Sequence, residues 1–494
     1  MLPVLVLTLC VLVVVSLPLW LPKGVVALRM RVFGHLNGHE GIPVPGDLVG
    51  AAQFKEVYSH PAANGRSRGA GLSDLFWYWL SPGAELHQEH LEAGDRYEEI
   101  AHTTRRILGV PRTRAEGLAE RCSVRALNGI HGTRLVRLRD LMMPAWAEFY
   151  YEVVFGERCP PKARDLIVDN ADDVVTALKC CGLRHMDRRD RLTRFLIDRL
   201  EAGGLPHELP ADLSTRERAL YLQGTFFNTA IVQTSEAVAH LLMVLAQHPE
   251  AQTRAVRDDC YLDQVIEETF RLYPLFGIAH RITTGEITVS DGVTLPSGSV
   301  LCFNYPAFHR VGFDDPDRFH PSRWETLSAR DANHIPFGVA SNRPCPAWRL
   351  APITMRVAAR ETLKRFALYT SASHTRSMPN RGPCLLAPRD GSRRPRHAPL
   401  TYLWLRDRWE DLTRSVVQLV LGTYMVRDAR RQRLCQRHFD AGSGSLEPPS
   451  TCRKRPTGPD RGGPTGTGRD REPQPLAADR RSRPGAADGD ARHL

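Results

Sequence analysis

Lysine is nearly missing from this chain. Only Lys23, Lys55, Lys162, Lys179, Lys364 and Lys454 stand among 66 basic residues, and all the others are arginine. The net charge of +11 is therefore an arginine excess. High Ala, Gly and Pro accompany it, the pattern that codon bias in a GC-rich genome produces, although a basic face also steers acidic partners or anionic lipid. Zinc-finger spacings and interleaved aromatic–basic modules are absent, which excludes the common nucleic-acid readers. A G-x-G-x-x-G fingerprint is absent too, so the chain carries no flavin or dinucleotide domain of its own. The 11 cysteines, Cys10 to Cys452, lack the even spacing of a disulfide-stapled secreted domain. Cys180 and Cys181 are adjacent, poor geometry for an ordinary disulfide or paired metal ligation, and a reducing cytoplasmic setting is the simpler reading.

Charge is missing from Leu2 to Pro22, a run rich in Leu and Val. About 20 such residues at ~1.5 Å each span ~30 Å, one hydrocarbon thickness. No basic segment precedes the run and no A-x-A-like cleavage site closes it, so an uncleaved anchor over 1–23 is expected. Lys23, Arg29 and Arg31 follow at once, which places a single-pass protein's body on the cytoplasmic side.

Residues 24–100 read as irregular, and 101–205 as helical. Pro144 is expected near the start of a helix through Leu141–Tyr151. A long helix runs from Ser214-Thr215 to Gln247 and ends at His248-Pro249; another runs from about 260 to Tyr273 and stops at Pro274. The period then changes to strand, turn, strand at Glu286–Leu295, with a further strand at Ser299–Phe303. One more helix is expected over Ala347–Phe366. The fold class is mainly α with small β-sheets late in the chain.

Beyond about 390, Tyr402, Leu405, Trp409, Leu412, Val416 and Leu419 recur at steps of three and four, predicting an appended amphipathic helix or coiled-coil seam over 391–440. Arg427, Arg430, Arg431, Arg433 and Arg437 follow. From 441 to 494 there is no aromatic residue, and Pro, Gly, Arg and Asp dominate; too little apolar surface is available to offset ordering entropy, so a disordered tail is expected.

Four motifs fall between 260 and 350. They are Glu268-Thr269-Phe270-Arg271, the basic pair in Ile278-Ala279-His280-Arg281, the segment Pro316-Asp317-Arg318-Phe319, and the loop Pro336-Phe337-Gly338 through Arg343-Pro344-Cys345-Pro346-Ala347. E-x-x-R on a helix puts both side chains on one face as an ion pair. A cysteine just ahead of a helix gains thiolate character from the dipole, and Pro346 suits the first helical position.

The ordered set resembles the cytochrome P450 family, and "LAQHPEAQ", "RLYP" and "DGVTLPSGSVL" around it agree. The resemblance is strong over about 215–368, weak over 100–215 and absent past 390. It implies a P450-like fold over 24–390 in a divergent, membrane-anchored, bacterial-type member. It implies haem b, with Cys345 as the axial thiolate on the iron, which favours O–O cleavage. Matched by position, Arg281 and Arg343 would pair with the propionates through their bidentate forks. Phe337 would shield the thiolate. His102 and Arg106 match a weaker H-x-x-x-R propionate pair, with helical surface charge as the competing reading. Glu268, Arg271 and Arg318 look like a buried structural triad, with Arg323 as the other candidate for its third member.

The chain departs from the family in several places. Cys345 follows Phe337 by eight positions rather than seven, Ala347 replaces a glycine, and Pro352 is expected to kink the following helix. In the long helix Gln233 stands in the place of the family's threonine and Val232 in that of its acid; Thr234 comes one residue late, ~100° around the helix. Gln233 and Thr234 are the distal candidates. An amide can hold water or peroxide but cannot deliver a proton as an acid does. The resemblance implies an oxidoreductase, a monooxygenase acting on a small apolar substrate with electrons from an external ferredoxin or reductase. A peroxide-driven or isomerising haem-thiolate enzyme and a non-catalytic haem-binding membrane scaffold are the alternatives.

Overall fold

The computed structural model describes residues 2–38, 40–290, 292–328, 330–389 and 397–443. The expected disordered tail lies outside the described residues, except for 441–443, which are helical.

Helix α1 (Leu2–Asn37) continues 14 residues past the expected anchor, carried on by the helix-compatible stretch Val25–Val32. Short elements appear where irregular chain is expected: β1 (Ile42–Val44), α2 (Phe54–Ser59) and α3 (Gly71–Leu80). Helices of so few turns leave little periodicity, and packing holds them instead. Phe54 of α2 stacks on Phe308 at 3.9 Å and meets Phe303 edge-on at 5.2 Å.

Residues 95–201 are helical as expected: α4 (Asp95–Leu108), α5 (Arg112–Asn128), α6 (Leu138–Phe155), α7 (Pro161–Leu178) and α8 (Met186–Glu201), with β2 (Arg134–Arg137) ahead of α6. Pro144 is not near the start of its helix. Because α6 begins at Leu138, the proline sits nearly two turns in.

The long helix is α9 (Thr215–Leu222), a π-helical stretch Gln223–Ala230, and α10 (Ile231–Gln247). Ser214 and Glu217 form a reciprocal capping box at its start. Ser214→Ala should cost about 1 kcal/mol in a urea melt; an unchanged midpoint would show that packing alone sets this helix end. The π-helical stretch lies where two backbones approach closely: a Cβ on Gly224 would collide with the Gly83 carbonyl oxygen. Asn228 donates to Leu80 O and Pro82 O at 3.2 and 3.1 Å, giving the side-chain support that such widened turns need. The span Thr215–Gln247 is long and apolar enough to cross a membrane, but 83% of its most apolar window is buried in the protein, so it is a core helix.

The chain continues through α11 (Pro249–Ala255), α12 (Asp259–Leu272), β3 (Ile278–Ile282), β4 (Ile287–Thr288), β5 (Thr294–Leu295), β6 (Val300–Asn304) and α13 (Tyr305–Phe308). It then forms α14 (Leu350–Arg365), β7 (Phe366–Tyr369) and β8 (Pro383–Pro388). The sheets are small: β1-β6-β3, β2-β8-β7 and β4-β5. The β6 strand pairs parallel to β1 and antiparallel to β3, setting Arg281 opposite Leu301. The main core lies among α5, α6, α10, α12 and α14. The architecture is mainly helical with small sheets, as the sequence predicts.

Two appended helices, α15 (His397–Gln432) and α16 (Leu434–Ser443), pack on α1 and α3. The expected seam is only partly buried. Leu412 is covered, whereas Tyr402, Leu405 and Val416 face out; Leu403, Met425, Val426 and Ala429 make the contact instead.

Candidate functional site

The cysteine loop follows the short 3-10 helical turn Pro321–Glu325 and closes on itself ahead of α14. The Cys345 N–H donates to Phe337 O at 2.9 Å, and the Asn342 N–H donates to Val339 O at 3.1 Å. A tight turn over 339–342, with Gly338 (φ 75°) and Arg343 (φ 51°) in the left-handed region, absorbs the one-residue insertion. Asn342, which the motif comparison passed over, pins this turn: its amide donates to Tyr58 O at 2.8 Å and Ala63 O at 3.1 Å. The Phe337 ring packs edge-on against Phe270 at 5.3 Å.

The helix after the cysteine starts later than expected, at Leu350 rather than Ala347. Pro352 is thus its third residue, where no N–H is required, so the expected kink is replaced by an ordinary first turn. The helix dipole stands further from the sulfur for the same reason. The Ala347 N–H reaches the sulfur in its place and draws the thiol down, but burial dominates and pushes it up to about 11. The free thiol is protonated at neutral pH; a bound metal ion is what strips such a proton. Among the described residues no group of three His, Cys, Asp or Glu side chains could hold a metal, so a metal here would need another scaffold besides the sulfur.

Beside the loop lies a buried cationic cluster. Arg66, Arg281 and Arg343 are all buried, and one carboxylate, Glu89, answers the three. Arg66 pairs with Glu89 at 2.6 Å. Arg343 spends its donors on neutral carbonyls, Gln88 O at 2.9 Å and Leu91 O at 2.7 Å, and lies 3.9 Å over the Tyr97 ring. Arg281 lies 4.3 Å over the Tyr58 ring and donates to Asn342 Oδ1 at 3.3 Å. The Nε atoms of Arg66 and Arg281 are buried without a hydrogen-bond partner. Burial lowers Arg343 to about 10, with Arg66 pushing the same way. Glu89 is pushed up by burial but held below its ordinary value by Arg66, Arg281, His87 and Arg343. Uncompensated buried cations are expensive. A group bringing two carboxylates would balance the cluster, and the fit to a haem's propionates is good on charge and on orphaned donors.

His102 and Arg106 do not join this cluster. The inward face of α4 carries Tyr97, Ile100, Ala101, Thr104 and Leu108, which leaves both residues on the solvent side, where Arg106 bonds to Glu208. What α4 contributes to the site is Tyr97. Its signal was an aromatic in register with the buried face, three residues before Ile100.

Along α9, the π-helical stretch and α10, every residue from Tyr221 to Ala246 is buried except Thr229, Ala230 and Gln233. These three lie on one face and leave it open. Thr234 points elsewhere and shares a 2.8 Å hydrogen bond with the Tyr150 hydroxyl. Tyr150, on α6, is pushed up to about 12 by burial, and a thiolate at Cys345 would push it the same way.

The acidic residue of the E-x-x-R motif is buried at the centre of a tight knot. Glu268 takes Arg271 Nε at 2.9 Å and Nη2 at 2.8 Å, the His320 N–H at 2.9 Å and Trp324 Nε1 at 3.0 Å. The third member is Arg323, 3.3 Å away, and not Arg318, whose side chain is exposed and whose carbonyl alone takes part. The turn Pro321–Glu325 swings Arg323 inward, a matter of loop path that spacing cannot show. Burial pushes Glu268 up, but Arg271, His320 N–H and Arg323 together hold it below the usual range.

A cavity of about 580 Å³ lies elsewhere, between β2 and α15, and touches none of these residues. The thiols of Cys122, Cys180, Cys384 and Cys435 are pushed up to about 12 by burial. None of the four stands in a loop of this kind.

A helical bundle with small sheets, and a lone cysteine in a looped turn ahead of α14, defines a P450-like fold. A family model, "Cytochrome P450", matches residues 183–392. Mouse cytochrome P450 3A13 is 29% identical, covering 27% of this chain and 31% of that protein. Taxoid 2-alpha-hydroxylase of Taxus canadensis is 29% identical, covering 28% and 32%, and the putative cytochrome P450 135B1 of Mycobacterium tuberculosis is 29% identical, covering 30% and 36%. The matched stretch is thus about a third of these relatives' own length. Solved structures match over more of the chain. Ligand-free cytochrome P450 OleT superposes with a TM-score of 0.54 at 15% identity, covering 64% of this chain and 84% of that one. A mutant of cytochrome P450SP alpha gives 0.58 at 17%, covering 68% and 88%. Residues 183–392 thus match the cytochrome P450 family, whose members use haem with an axial cysteine thiolate, and the superposed structures show that the chain has that family's fold.

Proposed function

We propose that the protein is a membrane-held haem-thiolate monooxygenase that oxidises a small apolar molecule with electrons from a separate ferredoxin or reductase. The observation that carries this is the buried cluster of three guanidinium groups and one carboxylate beside the Cys345 loop. The haem domain would occupy 24–390, with Cys345 as the iron ligand, Arg281 and Arg343 on the propionates, and Phe337 against the sulfur. Bound there, haem would supply the one-electron and oxygen chemistry, tuned by the thiolate.

The chain's own residues do the rest. Asn342 and the Phe337 carbonyl hold the loop in shape, and Tyr97 backs Arg343. Gln233, on the open face of the long helix, orients a bound oxygen species or a substrate carbonyl by its amide; Thr234 is held back by Tyr150. The exposed apolar half of α1 serves as the anchor, with Lys23, Arg29 and Arg31 setting the body on the cytoplasmic side.

One observation favours a second reading. Val232 and Gln233 leave the long helix without an acid at the open face, so delivery of protons is weak there. A peroxide-driven reaction needs less of it. The test is turnover by purified protein under two regimes. With a ferredoxin pair and reductant the rate should be about tenfold or more above that with hydrogen peroxide alone, a barrier difference of ~1.4 kcal/mol. The reverse ratio selects the peroxide reading, protein that binds haem but turns over under neither regime leaves the non-catalytic scaffold, and protein that takes up no haem refutes all three.

A further inference from the structure

We propose that the leading end of α15 is a second contact with the bilayer that α1 enters, with Tyr402, Trp404 and Leu405 seated at the boundary of headgroups and acyl chains. This rests on the reading of α1 as an anchor.

The two helices run side by side in the same direction. Arg29 Nη1 donates to Gln418 Oε1 at 2.7 Å, a separation of 389 positions. Phe33 packs where a Cβ on Gly422 would stand 2.5 Å from its ring, and Arg430 meets Glu40 at 3.3 Å, 390 positions away. Two helices with the same rise keep such an offset, which sets Leu405 level with Ser16. Exposure agrees with this level. Residues Pro3–Val15 are exposed, Ser16 and Leu17 are partly covered, and Pro18 is buried.

The free part of α1 is therefore too short for its task. Its 13 residues reach ~20 Å, against ~30 Å of hydrocarbon. The missing ~10 Å is about seven residues, which ends at Pro22, where the uncharged run also ends. A shortfall of that size draws the body against the bilayer, and the edge that meets it first lies beside the last free residues of α1, 13–16. On the offset of 389 that edge is Tyr402–Leu405 of α15.

Its chemistry suits the place. Tyr402 is 68% exposed, Leu405 47% and Trp404 39%. Tyrosine and tryptophan, with an apolar body and a polar tip, collect at membrane interfaces. Arg406 pairs along the helix with Asp407 and Glu410. Three of the charged residues that follow are turned to the protein: Asp407 accepts from Ser371 Oγ at 3.1 Å, Arg408 donates to Ser373 Oγ at 3.1 Å, and Glu410 pairs with Arg137 at 2.7 Å. These contacts also fix the helix to the body, so that its end is a rigid ridge.

The test uses full-length protein in phosphatidylcholine vesicles, with part of the lipid brominated at the acyl positions nearest the headgroup. Subtracting the emission of W404F, W20F and W348F from that of the parent isolates each tryptophan. Trp404 should lose its emission about as strongly as Trp20, roughly twofold or more, as expected for interfacial tryptophans. Trp348, 49% exposed on the haem domain, should lose none. Quenching of Trp20 without Trp404 overturns the second contact and leaves the anchor standing. Quenching of neither overturns both. An unquenched Trp404 in vesicles carrying pairs of chains would mean that a second copy covers the ridge, and this too refutes the lipid contact.

Discussion

Cys345→Ala is expected to abolish the red-shifted Soret band that a thiolate ligand gives the reduced carbon-monoxide adduct, and to lower turnover by ~10³-fold or more. Loss of a metal's outer-shell partners alone costs about 10–100-fold, and the axial ligand itself is worth more. The substitution is small and the loop has other supports. The Cys345 backbone N–H still reaches Phe337 O, and Asn342 still ties the turn to Tyr58 O and Ala63 O. The variant should therefore fold, so a change in spectrum reads ligation and not collapse. Cys384→Ala and Cys435→Ala serve as controls: both thiols are buried and pushed up to about 12, and their removal should leave the band in place. An unaltered spectrum in Cys345→Ala would end the haem-thiolate reading.

The second large effect concerns stability. Glu268→Ala should cost about 3–5 kcal/mol, the range for removing one partner from a buried ion pair. Glu268 and Arg271 are both fully buried, and Arg323 nearly so, so the substitution strands two guanidinium groups away from water. Against a typical total of about 5–15 kcal/mol, such a loss would leave little folded protein. Arg271 also donates to Pro316 O at 2.6 Å, and Arg323 to Asp314 O at 3.0 Å, so the chain leading toward the cysteine loop would loosen with them. Arg318→Ala should stay within about 0.5 kcal/mol, as for other exposed positions. Urea melts of the two variants check both expectations; equal losses would contradict the assignment of Arg323. The pH dependence has a definite sign. Because Glu268 titrates below its ordinary value of 4.5, its contribution is complete above that pH and is lost as pH falls toward the lowered folded value.

Much of this was visible along the chain. The start at Ser214-Thr215, the stop at His248-Pro249, the stop at Pro274 and the strand–turn–strand at 286–295 all act over a few residues, and the helix and strand ends fall there or within a residue or two. The Glu268–Arg271 pair is likewise one turn of one helix. Pro144 and Pro352 were misplaced because a proline marks a boundary only once the helix start is known, and both starts lay three residues from where the pattern suggested.

What the sequence determined by itself was local: a charge-free run able to span a bilayer, the ends of the long helices, and one cysteine in a turn between an aromatic and a proline. These depend on bonds and side chains a few residues apart. Tertiary structure decided which distant groups meet. It brought Arg66 and Glu89 to Arg281 and Arg343, chose Arg323 over Arg318, turned His102 outward and laid α15 along α1. Loop paths and packing faces set those meetings, and neither leaves a period in the chain.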